Sequence, residues 1–115
     1  MGFENLDKNK AQYKLDGFGP IYYLNLDGQP ERKKYMEDQF KYWGIENYER
    51  ISAYDGRDDD LSSIIKGKYP DMMSSGEIGC TTSHLKALNH WLNTSDSPYA
   101  VIMEDYCNLD TVPFV

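Results

Sequence analysis

Residues 21–36 read IYYLNLDGQPERKKYM, and within them the apolar pattern changes from the period of a strand to that of a helix. Ile21 to Leu26 is a short apolar run with β-branched and aromatic content, bounded by Pro20 and Gly28, and reads as a buried strand. Asn25 and Asp27 sit at its carboxyl end. Pro30 suits the first turn of a helix, and Glu31 suits the positive end of the helix dipole. Met36, Phe40 and Trp43 follow at spacings of four and three, which places them on one helix face as core. Gly44 is a natural stop in the left-handed conformation, with Ile45 folding back onto the helix. The stretch therefore predicts a strand, then a helix from Pro30 to Trp43.

The rest of the chain continues the alternation. Tyr48 to Tyr54 reads as a second strand, interrupted by Glu49 and Arg50 and ending at Asp55-Gly56. Asp58 to Asp60 with Leu61 to Ile65 reads as a short capped helix or turn. The acidic run lacks the alternating ligand positions of a calcium loop. Lys66 to Met73 reads as a loop. Ser74 and Glu77 have the spacing of a capping box, so a helix is predicted over 75–93. On it Ile78, Leu85, Leu88 and Leu92 share one face, with Ala87 and Trp91 beside it. Tyr99 to Met103 reads as a third buried strand, with Glu104 and Asp105 at its carboxyl end. Residues 1–19 are polar with weak periodicity and read as an arm preceding a single domain over 20–115.

Strands alternating with helices define an α/β class with a mainly parallel sheet and right-handed crossovers. The polar groups Asn25 and Asp27, Asp55-Gly56, and Glu104-Asp105 all follow strands at their carboxyl ends. Ligands bind at that edge of an open parallel sheet, where the strand order reverses. If the first strand lies between the other two, all three groups meet in one crevice.

Composition removes several alternatives. The chain has 115 residues, enough for one domain with a real core. An aromatic share of 14%, mostly its ten Tyr, is opposite to the aromatic-poor composition of disordered chains. A net charge of -7 argues against nucleic acid as a partner, since phosphate contacts need clustered Lys and Arg. No apolar run reaches the length of a membrane span. Cys80 and Cys107 lack zinc spacing and are too few for a disulfide scaffold, so they read as free thiols in a cytoplasmic protein.

Four blocks resemble those of glycosyltransferase family 25, in the family's order: IYYLNLDGQPERKKYM (residues 21–36), ISAYDGRD (51–58), GEIGCTTSHLKAL (76–88) and YAVIMEDY (99–106). The resemblance implies the three-layer, Rossmann-like donor half of a GT-A nucleotide-sugar-binding fold. It implies sugar transfer from a nucleotide-sugar donor, a UDP-sugar, to the hydroxyl of a carbohydrate or glycoconjugate acceptor. A divalent ion, usually manganese, would be held by Glu104 and Asp105. The donor-binding residues it implies are Asn25, Asp27, Arg32, Asp55, Gly79, His84, Glu104 and Asp105. Arg32 stands out on local grounds too, because a cation in the first turn opposes the helix dipole.

Two departures accompany the resemblance. Tyr106 stands where the family pattern has a third acidic residue, and a phenol titrating near ~10 is no carboxylate ligand at neutral pH. Asp110 lies beyond the motif. Family members also continue further, so this chain matches only their donor-binding part. A second class of function follows: a catalytically inactive remnant that binds a nucleotide sugar or a protein, or that self-associates through its open sheet edge.

Overall fold

The computed structural model describes residues 15, 17–57, 61 and 72–109. Most of the 1–19 arm, the Asp58–Asp60 run, the expected short helix except Leu61, nearly all of the 66–73 loop and Asp110 lie outside them. The element order is β1 (Ile21–Asn25), α1 (Pro30–Tyr42), β2 (Tyr48–Ser52), α2 (Ser75–Thr94) and β3 (Val101–Glu104). The three strands form one parallel sheet in the order β2-β1-β3, with Ile21 in register with both Tyr48 and Val101.

β1 is central because all five of its residues are buried. Alternation along the strand sends Ile21 and Tyr23 to one face and Tyr22 and Leu24 to the other. The first face packs against Met36, Phe40 and Trp43 of the α1 segment. The second packs with Ile51 against Ala87 of α2. The chain crosses one face going from β1 to β2 and the other going from β2 to β3. Three layers result, helix on sheet on helix, as a Rossmann-like half requires.

Local chemistry sets both helix boundaries. α1 ends where Gly44 takes a positive φ of 68°. The Gly44 amide donates to the Lys41 carbonyl and the Ile45 amide to the Phe40 carbonyl, which is a Schellman closure, and Ile45 is buried. The chain beyond Gly44 is thereby aimed into β2. At the start of α2, Ser74 Oγ accepts from the Glu77 amide at 3.2 Å, and Glu77 Oε1 accepts from the Ser74 amide at 3.1 Å. Hydrogen bonding to Ser74 holds the Glu77 carboxyl below its ordinary value.

α2 turns a different face to the sheet than its large apolar residues suggest. The buried positions are Gly79, Thr82, Ser83 and Ala87, whereas Leu85, Leu88 and Leu92 are exposed, Leu92 to 70%. The reason is distance. A β-carbon on Gly79 would lie 2.6 Å from the Gly56 nitrogen and 2.8 Å from the Tyr54 oxygen. Only a small-residue stripe lets the helix approach the backbone that follows β2, and Tyr22, Leu24 and Ile51 already supply the bulk beneath it.

Two outcomes follow. Helix propensity alone makes Gly79→Ala stabilising by about 1 kcal/mol. The backbone contact reverses the sign, so urea denaturation should show a net loss of about 1–3 kcal/mol. A gain in stability would mean that the helix does not seat on Gly56. Ser74→Ala should cost about 1 kcal/mol. Because the Glu77 carboxyl is depressed in the folded state, its contribution is present above its ordinary value and is lost as pH falls through its folded pKa. Glu77→Gln should therefore flatten the acid limb of a stability–pH profile.

Candidate functional site

The carboxyl ends of the three strands meet around one side chain. Asn25, the last residue of β1, is 2% exposed. Its Nδ2 donates to Asp105 Oδ2 at 2.9 Å and to the Gln29 carbonyl at 3.1 Å. Its Oδ1 accepts from Arg50 Nε at 2.9 Å. One amide thus joins the end of β3, the turn into α1 and strand β2. Arg50 goes on to donate through Nη2 to the Asn25 carbonyl and to Asp27 Oδ1 at 2.6 Å, and Ser52 Oγ donates to the same Asp27 oxygen. The Arg50 guanidinium, then the Ser52 hydroxyl, hold the Asp27 carboxyl below the usual carboxylate range.

Above this junction lies an open cleft of about 280 Å³. Leu24, Leu26 and Ala53 supply apolar lining. Arg32, Asp55, Arg57, Glu104, Asp105 and Tyr106 supply polar groups, and Gly76, Cys80 and Ser83 bring in the first turns of α2. Arg32 in the first turn of α1 meets Asp105, Nη1 to Oδ1, at 3.5 Å. The local disadvantage of a cation at that end of a helix is offset by the Asp105 carboxylate just after β3. Arg57 grips Asp55 with Nε to Oδ1 at 3.1 Å and Nη2 to Oδ2 at 3.2 Å.

Of the eight expected donor-binding residues, Arg32, Asp55, Glu104 and Asp105 line the cleft. Asn25 and Asp27 belong to the network beside it. Gly79 is buried against the loop after β2. His84 bonds its own helix, Nδ1 to the Cys80 carbonyl at 2.9 Å. Arg50, Arg57, Tyr54, Cys80 and Ser83 were not singled out by sequence reasoning. Ser83 Oγ accepts from the Tyr54 amide at 2.8 Å and donates to the Gly79 carbonyl at 2.7 Å, which fixes the loop carrying Asp55. The available signal for Arg50 was its parity: Tyr48, Arg50 and Ser52 share the strand face that carries Asn25.

Glu104 and Asp105, the expected metal pair, turn to different partners. Glu104 accepts from Tyr106 Oη at 2.7 Å and from Cys80 Sγ at 3.4 Å. The Glu104 hydrogen bond pushes the Tyr106 phenol up, and burial followed by Glu104 pushes the Cys80 thiol up, so both stay protonated donors at neutral pH. Asp105 is engaged by Asn25 and Arg32. Hard divalent ions require several oxygen ligands. Among the described residues no three His, Cys, Asp or Glu side chains gather to hold an ion. As arranged, these residues do not fit the ion.

A larger hollow of about 560 Å³ lies at the opposite ends of the strands, beside Ile21, Ile45, Asn47 and Tyr99. Among the described residues its charged lining group is Glu46. Asn25→Ala tests the junction at the other end: it would leave buried Asp105 and Arg50 short of a partner. The expected cost is about 1–3 kcal/mol in urea denaturation. A change below a few tenths would show that neither group depends on Asn25.

No curated protein and no solved structure matches the chain. No helix among the described residues is long and apolar enough to cross a membrane. The family model described as glycosyltransferase family 25 (LPS biosynthesis protein) matches residues 18–112. That span runs from before β1 to beyond the acidic pair after β3, so it takes in every strand end that meets at Asn25. The chain therefore belongs to glycosyltransferase family 25.

Proposed function

We propose that the cleft binds the nucleotide-sugar donor of a glycosyl transfer, a UDP-sugar, and that the chain supplies the donor-binding part of that reaction. The observation that carries this reading is the placement of Arg32 and Arg57 together in one cleft at the carboxyl edge of a parallel sheet. A family 25 transferase breaks the bond between the sugar's anomeric carbon and a phosphate oxygen and forms one from that carbon to an acceptor hydroxyl. The nucleoside diphosphate leaves with the bonding electrons, and the hydroxyl proton is released. Charge develops on the leaving diphosphate, so fixed positive groups facing it favour the transition state.

The other cleft residues have roles consistent with this reading. Tyr106 is 64% exposed at the rim and offers an aromatic face to a base or sugar ring. Asp55, bonded through both oxygens to Arg57, keeps that guanidinium at the cleft. Gly76, in the first turn of α2, adds the positive end of a helix dipole to the cleft. Asn25 and Arg50 are positioning residues: they keep Asp105, and through it Arg32, in place.

Thermal shift with UDP is the direct test, since a ligand that binds only the folded state raises its melting temperature. UDP should stabilise the protein and uridine should do so far less. Arg32→Ala should weaken UDP binding roughly ten- to a hundred-fold, the worth of one charge-assisted contact. A UDP-sugar mixed with acceptor oligosaccharides then separates transfer from binding alone. Equal responses to UDP and uridine would remove the diphosphate site.

A further inference from the structure

The acidic residues of the cleft form a repeated geometry. Asp105 is 10% exposed at its side chain, and the Arg32 above it is 57% exposed. Asp55 is 17% exposed, and the Arg57 above it is 73% exposed. In both pairs a largely buried carboxylate bonds a more exposed guanidinium, and all four residues line the cleft. An ion-binding carboxylate needs the reverse arrangement, with its oxygens turned toward the ligand and no cation in front of them. Glu104 does not supply the missing oxygens, because Tyr106 and Cys80 donate to it. Tyr106 puts a phenol, not a carboxylate, at the position after Asp105.

We infer that this site takes the diphosphate directly on Arg32 and Arg57, each oriented by its own carboxylate, and that binding needs no divalent ion. The inference rests on the donor-binding reading above and concerns how that donor is held. The chemistry favours it on two counts. A guanidinium is permanently charged and presents several N–H donors in one plane, which suits phosphate oxygens. Asp105 and Asp55 lower the freedom of two long side chains before the ligand arrives, so less ordering remains for binding. Asp105 and Asp55 then act as positioning residues for the arginines.

The test is titration calorimetry of UDP and of inorganic pyrophosphate, in EDTA and in manganese, on the full chain. UDP affinity in EDTA should match that in manganese within about twofold. Arg32→Ala and Arg57→Ala should each weaken UDP and pyrophosphate roughly ten- to a hundred-fold in EDTA. Both side chains are mostly exposed, so the variants should fold, which circular dichroism checks. Arg32→Lys, which keeps charge but loses the planar fork, should recover only part of the affinity. Asp105→Asn should weaken UDP less than Arg32→Ala, because the guanidinium remains but is no longer held. Tyr106→Asp should create a manganese response absent from the wild type. If EDTA abolishes UDP binding and manganese restores it, the direct-arginine inference is overturned while the donor-binding reading stands. If neither condition gives binding, both fall.

Discussion

Burying an amide at the end of a central strand constrains everything around it. Asn25 cannot be left unpaired at 2% exposure, because each unmet polar atom there costs a substantial part of the stability of a small domain. Its three side-chain hydrogen bonds are made by β2, the residue that follows β3 and the turn before α1 together, and only when the three strands are parallel and β1 lies in the middle. The register of both strand pairs, the path of the turn and the position of Asp105 are tied to that single group. Sheet topology and site geometry are in this sense one constraint.

The charges of the site follow the same logic. Arg32 is poorly placed for its own helix, and Asp105 is poorly placed for its own strand end, buried without a neighbour on β3 to neutralise it. Each resolves the difficulty of the other. Arg50 does the same for Asp27 across β1 and β2. An acidic protein thereby presents basic groups at its cleft: Asp105 and Asp55 are paired with Arg32 and Arg57, whose side chains are the more exposed partners, while Glu104 accepts from Tyr106 and Cys80. Net charge, a property of the whole chain, is no guide to the sign of the surface a ligand meets in one crevice.

Two readings of the chain's chemistry separate at α2. A stripe of Leu at helical spacing normally marks the face that packs on a sheet. Here Gly79, Ser83 and Ala87 take that place, because the loop after β2 passes against the helix with no room for a side chain. Ser83 uses the closeness to hold the Tyr54 backbone, which sets Asp55 and Arg57 at the cleft. Side-chain size, not hydrophobicity, selects the inward face when backbones touch.

Much of the framework is written locally and is therefore legible in the letters alone. The apolar run of β1, Pro30 and Gly44 around α1, the capping box of Ser74 and Glu77, and the polar residues after each strand are all short-range signals. They establish an α/β chain with a parallel sheet and place Arg32, Asp55, Glu104 and Asp105 at its carboxyl edge. What they leave open is which groups pair across the sheet. Arg50 reads as a blemish in a strand until Asn25 is seen beside it, and nothing in the letters turns the Leu face of α2 outward until Gly56 is seen against Gly79. Glu104 and Asp105 read as one acidic pair until each is found with its own donor. Apart from the Glu104–Tyr106 bond, those outcomes depend on contacts between residues 23 to 80 positions apart, whose energies are set by distance and burial in the folded chain.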